Sequence, residues 1–304
     1  MELTAIDALT GLRTALAAPE ERRLALFREA VMEPLRPFWE PFLGWMPQAP
    51  GADLSDPALH AARTFNYYTP ELDAPRGLAA LDRLDRAGAW PACLDALRRA
   101  WDALAPETHD IPIRQVRFTL VLGDPAKLDE RTGSYTGFGG RPGIVMVLAW
   151  PTDFNLPRLA AIVPHELHHN VRFSWEPFVP HETTVGQYIV AEGLAEAFAA
   201  EVCGEELLGP WATLLSDEQV AALKPRYRDA LEVRGFDTIR GYVFGDWAAA
   251  QFGYQPQGLP DFAGYSMGYR LVRAYLARTG KSAAETTYVP WREIVEESRF
   301  FHRA

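Results

Sequence analysis

The chain has 304 residues, of which 48% are hydrophobic and 23% are charged, so it can bury a sizeable core and is not disordered as a whole. Its 30 Lys and Arg residues against 40 Asp and Glu residues give a formal net charge of −10, which on average repels a nucleic-acid backbone or an anionic membrane surface. We therefore expect neither nucleic acid nor a membrane as a partner. Two cysteines, Cys93 and Cys203, provide neither a disulfide framework nor a thiolate metal cluster.

The start of the chain and its hydropathy indicate a location. The first residues include an acidic side chain and lack both the basic start and the unbroken apolar run of a signal peptide. No run of about 18 apolar residues is free of charge and proline, so no segment is expected to span a bilayer. The sequence therefore predicts a cytoplasmic protein.

The first third of the chain has helical periodicity. Apolar residues recur three and four positions apart from residue 3 to about residue 38, and prolines interrupt the pattern near its end. Residues 75–105 predict two amphipathic helices that separate near Gly88 and Pro91. We therefore expect residues 1–110 to form a helical N-terminal region.

The period of the pattern changes to two at Arg114. Apolar residues alternate from there to Leu122, which predicts one strand, and a second strand is predicted over residues 144–150. The glycine-rich segment 136–143 between them has the composition of a phosphate-binding loop. It lacks the Gly-Lys-Ser/Thr ending and no helix follows it directly, which favours a turn or a strand-flanking loop.

Helical periodicity returns after the strands. Asn155 is the expected N-cap of a helix that runs to about Phe173. A proline-containing loop separates it from a second helix, from Thr184 to about Val202, with Thr183 or Thr184 as its cap. The final hundred or so residues predict further helices, and no low-complexity linker marks a domain boundary.

The first of these two helices contains the pattern His-Glu-x-x-His at His165, Glu166 and His169. Two imidazoles four residues apart lie on one face of a helix and can bind one metal ion from the same side. Glu166 reaches that side and can accept a proton from a metal-bound water. Because Ile162 continues the same face as part of an apolar stripe, the histidines are expected to point inward. The pattern favours a metal site over a pair of buried structural histidines.

The second helix offers the third ligand that a catalytic zinc requires. Val185, Ile189, Glu192 and Glu196 share one face of it, so two carboxylates interrupt a core-facing stripe. Because a buried carboxylate needs a cation or strong donors, we expect Glu192 to bind the metal and Glu196 to accept a hydrogen bond from a metal-bound imidazole. The alternative, in which both are solvated or paired with arginines, stays open. Gly193 either permits close approach of the two helices or is a packing glycine.

This arrangement resembles that of the gluzincins of the thermolysin type, in which a glutamate on a following helix completes the site. Here Glu192 follows His169 after twenty-two intervening residues. In that group an acidic residue four positions beyond the third ligand bonds the first histidine, and Glu196 occupies the matching place. The resemblance implies that Glu196 bonds the ring nitrogen of His165 that does not face the metal.

More narrowly, the chain resembles the YjaZ-like family of predicted zinc-dependent proteases. The resemblance rests on HELHH, then EGLAE, then the pair Gly245 and Asp246 and the segment 264–269, and it covers roughly residues 110–295. It implies a metallopeptidase-like fold with zinc, and it does not imply a substrate.

Two departures from well-studied gluzincins concern catalysis. Thermolysin-type enzymes have an asparagine directly before the third ligand, whereas Ala191 stands here, and no downstream histidine is an obvious transition-state stabiliser. Tyr265 and Tyr269 are the alternatives, because a phenol can donate a hydrogen bond to a developing oxyanion. Of the two, Tyr265 is our predicted catalytic residue, although tyrosines at this spacing are more often packing residues.

Three further residues near the motif need an interpretation. His168 projects away from His169 and is not expected to share the metal, while His181 in the connecting loop is the strongest rival to Glu192 as third ligand. Arg172, one turn beyond His169, either forms a structural ion pair or binds a substrate carboxylate, and the ion pair is favoured.

The sequence thus predicts a mostly helical α+β protein with a zincin-like metallopeptidase fold and a small twisted sheet beside the motif helix. A gluzincin-like catalytic region over residues 111–304 is expected to pack with the N-terminal region as one unit. In gluzincin-like sites the sheet edge beside the cleft pairs with extended substrate, so the resemblance implies that the strand at 144–150 is this edge.

The expected activity is hydrolysis of a peptide or protein substrate by a metal-activated water, with one zinc ion per chain and Glu166 as the general base. A catalytically silent, zinc-stabilised protein that regulates or binds a partner is the alternative, and a hydrolase acting on a non-peptide bond would use the same residues. The sequence carries no signal for the oligomeric state.

Overall fold

The computed structural model describes residues 2–45 and 55–302. Its helices are, in chain order, α1 (Ala8–Ala17), α2 (Glu20–Phe27), α3 (Arg36–Trp39), α4 (Pro57–Thr64), α5 (Ala74–Arg86), α6 (Ala89–Leu104), α7 (Ile162–Trp175), α8 (Val185–Cys203), α9 (Asp217–Ala230), α10 (Phe236–Phe252), α11 (Ala263–Thr279), α12 (Ala283–Thr286) and α13 (Trp291–Ser298). The strands within these residues are β1 (Glu2–Ala5), β2 (Gln115–Leu122), β3 (Tyr135–Phe138) and β4 (Ile144–Ala149). The predicted mostly helical α+β class with a small sheet is confirmed.

The chain forms two compact units. The first comprises Met1–Asp95, Arg114–Phe138 and Gly143–Val163, and the second comprises Ala96–Ile113, Gly139–Pro142 and Pro164–Ala304. The first unit combines the N-terminal helices with the strands, because β1, at the start of the chain, pairs with β2.

The sheet of the first unit has four strands in the order β1-β2-β4-β3. Strands β1, β2 and β4 are parallel, and β3 is antiparallel to β4. The expectation that residues 144–150 form a sheet edge is wrong, because β4 is hydrogen-bonded on both sides and all of its residues are buried. Within the described residues the edges are β1 and β3, and β3 (Tyr135–Phe138) overlaps the start of the glycine-rich segment 136–143, for which the sequence favoured a turn or a strand-flanking loop.

The start of the chain was expected to be helical from residue 3, and this is also wrong. Residues Glu2–Ala5 are β1, in register with β2 from Gln115 to Phe118. A four-residue segment has too few positions to display a period of two, so its strand state depends on a partner more than a hundred residues away in the sequence. The helical pattern then begins at Ala8, where Asp7 caps α1 by accepting from the Thr10 amide.

The motif helix α7 begins later than expected. Asn155 does not cap it, because the Asn155 side chain accepts from the Thr152 amide and donates to the Gly133 and Trp150 carbonyls. A short 3₁₀ helix at Leu156–Arg158 precedes α7. The second motif helix is confirmed: α8 spans Val185–Cys203, and the Thr184 hydroxyl accepts from the Gln187 amide at 3.1 Å.

Helix α8 is the core of the second unit, with most of its residues buried. It packs closely against α11, and Gly193 of α8 and Gly268 of α11 meet backbone to backbone. A Cβ at Gly193 would overlap the carbonyl of Gly268, and a Cβ at Gly268 would overlap that of Ile189. Gly193 therefore permits close approach of α8 to α11, whereas the sequence interpretation had paired α8 with the motif helix.

Candidate metal centre

Helix α7 presents both histidines of the motif on one face. Four residues make slightly more than one helical turn, so the imidazoles of His165 and His169 lie next to each other, with ring centroids 4.7 Å apart. Each residue is only 6% exposed, as is Glu166 between them. The structure therefore places the three residues of the motif in the protein interior, as the apolar stripe predicted.

Three ligand atoms converge at one point between α7 and α8. His165 Nε2 and His169 Nε2 are 3.0 Å apart, and Glu192 Oε2 lies 3.3 Å from each of these nitrogens. Ligands held about 2.0–2.1 Å from a tetrahedral ion are separated from one another by about 3.3–3.4 Å. The spacing of the three atoms thus fits a single zinc ion with a fourth position left open.

The carboxylate at this point needs a cation. Glu192 is 3% exposed, and its Oε2 atom has no hydrogen-bond partner within the described part of the chain. Leaving a buried carboxylate oxygen unpaired is strongly unfavourable, and three lone pairs that face one another repel. The donor set, two imidazoles and one carboxylate, is the set that catalytic zinc sites use.

The electrostatics of the cluster agree with a cation at its centre. Burial raises the pKa of Glu192, but His169 and His165 outweigh it and lower the value to about 2. Burial lowers the pKa of His165, yet Glu196 and Glu192 hold it well above its ordinary value. Positive charge is therefore favoured here even in the absence of an ion, and a divalent cation would take the place of the proton on His165.

The other ring nitrogen of His165 faces a second buried carboxylate. Glu196 is 2% exposed, and its Oε1 atom lies 3.2 Å from His165 Nδ1. The indole N–H of Trp211 donates to the same oxygen. A proton on Nδ1 leaves the lone pair on Nε2 of His165 directed at the other two ligand atoms. This is the contact that the sequence predicted for Glu196.

Glu166 lies beside the cluster without joining it. Burial raises the pKa of its carboxyl group, an effect that His165 and His169 oppose. Its backbone packs against Gly139, where an added Cβ would overlap the Glu166 carbonyl. The Gly139 carbonyl in turn accepts from the side-chain amide of Asn170 at 2.7 Å, which fixes the short segment Gly139–Pro142 on this turn of α7.

Two tyrosines border the carboxylates. The pKa of Tyr265 is raised well above its ordinary value by burial and then by Glu192. Burial and Glu192 also raise the pKa of Tyr188 well above its ordinary value. Tyr188 was missed in the sequence, although its position four residues before Glu192 places it on the same face of α8. Tyr269, the other candidate for the oxyanion, instead donates to Glu205 at 2.9 Å.

The rival ligand and the third histidine of the motif lie outside the cluster. The His181 side chain is 80% exposed and 3.6 Å from Glu182. His168 is fully buried beside Phe198, and neither of its ring nitrogens has a hydrogen-bond partner among the residues described. Burial lowers its pKa well below the ordinary value, so His168 stays neutral and belongs to the core.

Arg172 forms the structural ion pair that the sequence favoured. Its guanidinium donates to the carbonyls of Thr287 and Val289 at 2.6 and 2.7 Å and pairs with Glu176. The side chain is 1% exposed, and burial lowers its pKa to about 10. These contacts join α7 to the segment before α13.

Comparison with known proteins places this geometry in a family. The model of a family described as "Predicted Zn-dependent protease (DUF2268)" matches residues 89–296. The uncharacterized protein YjfC of Bacillus subtilis (strain 168) is 35% identical over 286 residues, which cover 93% of each chain. The uncharacterized protein YjaZ of the same organism is 29% identical over 162 residues, which cover 50% of this chain and 57% of YjaZ. No solved structure matches the chain.

These matches confirm the resemblance to the YjaZ-like family of predicted zinc-dependent proteases. Among the described residues, no helix is both long and apolar enough to cross a bilayer.

Proposed function

Because the chain belongs to the family of predicted Zn-dependent proteases, we propose that it is a zinc metallopeptidase in which His165, His169 and Glu192 hold one ion per chain. The observation that carries the proposal is the convergence of their three ligand atoms within 4.8 Å of one another in a buried site. The proposed substrate is a peptide or protein, and the proposed location is the cytoplasm.

Zinc bound by these residues would polarise a peptide carbonyl and lower the pKa of a water molecule to about 7. Glu166 supplies the base. Its buried carboxylate has a raised pKa and is therefore more basic than an ordinary glutamate. It accepts the proton of the attacking water and returns it to the departing amine, so one side chain serves both proton transfers.

Tyr265 is the proposed hydrogen-bond donor to the oxyanion. Because its pKa is raised well above the ordinary value by burial and by Glu192, its hydroxyl keeps its proton at any physiological pH. A neutral phenol in a buried site can stabilise negative charge that develops on the carbonyl oxygen. Tyr188, whose pKa burial and Glu192 also raise, meets the same chemical condition.

The proposal is tested by separating the base from the ligand. The wild-type protein, loaded with zinc and freed of excess metal, is expected to retain about one ion per chain by elemental analysis and to cleave a complex peptide mixture analysed by mass spectrometry. Glu166→Gln should keep the zinc and lose the cleavage. Glu192→Gln should lose the bound zinc. Glu182→Gln, which changes an exposed loop residue, should alter neither zinc binding nor cleavage.

Each outcome has a distinct meaning. Absence of bound zinc in the loaded wild-type protein would contradict the whole proposal. Zinc without cleavage of any peptide would instead favour a silent, zinc-stabilised protein. Retention of zinc by Glu192→Gln together with its loss in His181→Ala would show that the ligand assignment is wrong.

A further inference from the structure

Glu196, the carboxylate that faces His165, is also contacted by a tryptophan. Trp211 belongs to a short 3₁₀ helix, Pro210–Thr213, and its indole N–H donates to Glu196 Oε1, the oxygen that also lies 3.2 Å from His165 Nδ1. One carboxylate oxygen therefore receives two N–H groups, one from the proposed ligand and one from the indole. The indole is a donor only, so it cannot reverse its role in this contact.

Several independent contacts fix the position of the indole. An added Cβ at Gly209 would overlap the Trp211 ring, so only glycine leaves room for it there. The buried Ser266 hydroxyl donates to the Trp211 carbonyl at 2.9 Å. The Tyr265 ring packs against the indole with centroids 6.3 Å apart. The tryptophan is thus held through its backbone carbonyl, by Gly209 two residues earlier and by the T-shaped contact with the Tyr265 ring.

These contacts give a role to the segment 264–269, which the proposed chemistry uses only through Tyr265. Gly264 approaches the backbone of α10 at Val243, and Gly268 approaches α8 at Ile189. Between them Tyr265 and Ser266 reach Trp211. One turn of α11 therefore contacts both α8, which carries Glu196, and Trp211, which contacts the Glu196 carboxylate.

On these grounds we infer that Trp211 is a positioning residue, which holds the Glu196 carboxylate so that His165 presents Nε2 to the zinc. The inference rests on the proposed metal site. A neutral donor suits this task, because it orients the carboxylate without cancelling its charge. A lysine or arginine there would remove much of the negative potential that makes His165 a stronger ligand.

The test uses Trp211→Phe, which keeps an aromatic ring and removes the N–H group. Zinc affinity, measured by competition with a chelator, should fall roughly 3- to 10-fold, less than the 10- to 100-fold expected for loss of a direct partner of a ligand. The same change in a Glu196→Gln background should add no further loss, because the indole acts through that carboxylate. Trp90→Phe, at a partly buried tryptophan of the first unit, should leave affinity unchanged.

A spectroscopic readout separates positioning from packing. The indole N–H resonance of Trp211 is identified among those of the nine tryptophans by its absence in Trp211→Phe. It should move upfield in Glu196→Gln, even without metal, because the charge-assisted hydrogen bond is lost. If Trp211→Phe fails to fold, Ser266→Ala loosens the same contact and should weaken zinc binding to a smaller extent.

The outcomes distinguish this inference from the proposed function. If the wild type binds zinc and Glu196→Gln weakens it, while Trp211→Phe or Ser266→Ala does not, the inference is wrong and the metal site stands. Additive losses in the double variant would also overturn it. If the wild type binds no zinc, the proposed function fails, and a Trp211 resonance insensitive to Glu196→Gln would overturn the inference independently.

Discussion

His165 and His169 lie one turn apart on α7, but their rings are held by different forces. His165 Nδ1 lies 3.2 Å from the Glu196 carboxylate, which Trp211 also contacts through its indole N–H. His169 Nδ1 is buried without a hydrogen-bond partner among the residues that the structure describes. Its ring instead stacks on Phe173, with centroids 5.1 Å apart and planes 8° from parallel.

This difference indicates that two ligands of the same residue type contribute unequally to zinc affinity. A carboxylate on the far nitrogen fixes the tautomer of an imidazole and makes its metal-facing nitrogen more basic. Stacking fixes only the plane of the ring, and a flat contact leaves either nitrogen free to carry the proton. We therefore expect changes behind His165 to cost more zinc affinity than changes beside His169.

The largest effect is expected from Gly193→Ala, which disturbs the His165 side from a distance. The new Cβ would overlap the Gly268 carbonyl, so α8 and α11 must move apart and Trp211 is drawn away from Glu196. Overpacking of this kind costs about 1–3 kcal/mol, and the free energy of unfolding, measured in denaturant, should fall by that amount. The matched control is Gly44→Ala, since no atom of the described residues lies within 4 Å of a Cβ there. Equal losses in both variants would contradict the importance of the crossing.

Next in size is Glu196→Ala. Removal of the carboxylate frees His165 Nδ1 and leaves the tautomer of that ring undetermined. Zinc affinity should fall by about 10- to 100-fold without being abolished, because the three ligands remain. Chelator competition measures the change, with Glu182→Ala in the exposed loop as the control. An unchanged affinity would show that Glu196 does not support the metal site. It would also contradict the proposed difference between the His165 and His169 rings.

A smaller effect is expected from Phe173→Leu, on the His169 side. Leucine keeps most of the apolar bulk and loses the flat face against the imidazole. Aromatic pairs contribute about 0.5–1.5 kcal/mol beyond burial, which corresponds to a roughly 2- to 10-fold loss of zinc affinity. Phe178→Leu, one ring further out, is the matched control, because Phe178 packs on Phe173 and Tyr188. A loss larger than that of Glu196→Ala would reverse the ranking of the two sides.

The residues that converge on the proposed ion were predictable because their relation is local. Helical spacing alone places His165 next to His169 and Glu192 next to Glu196, and only the meeting of two helices had to be inferred. The demand of two buried carboxylates for partners supplied that inference. Tyr188 was predictable by the same rule, from its position one turn before Glu192, and was overlooked.

Elements that depend on distant partners were not predictable in this way. Trp211 lies in a 3₁₀ helix of four residues, which is too short to show a periodic pattern, and it is positioned by a hydrogen bond from Ser266 on α11. Strand β1 is equally short and owes its hydrogen bonds to β2. The position of β4 inside the sheet depended on β3, whose glycine hid its strand character.

The smallest effect on zinc is expected at the remaining histidine of the motif. His168 adjoins His169 in sequence, but it points into the core beside Phe198 with both ring nitrogens unpaired among the described residues. His168→Leu should leave zinc affinity within about twofold of wild type and raise the free energy of unfolding by about 1 kcal/mol, because a buried imidazole without partners is replaced by an apolar side chain. The same substitution one position later, His169→Leu, should abolish zinc binding. If His168→Leu lost zinc as well, three imidazoles would share the ion, and the contrast between a hydrogen-bonded and a stacked ligand would no longer describe the centre.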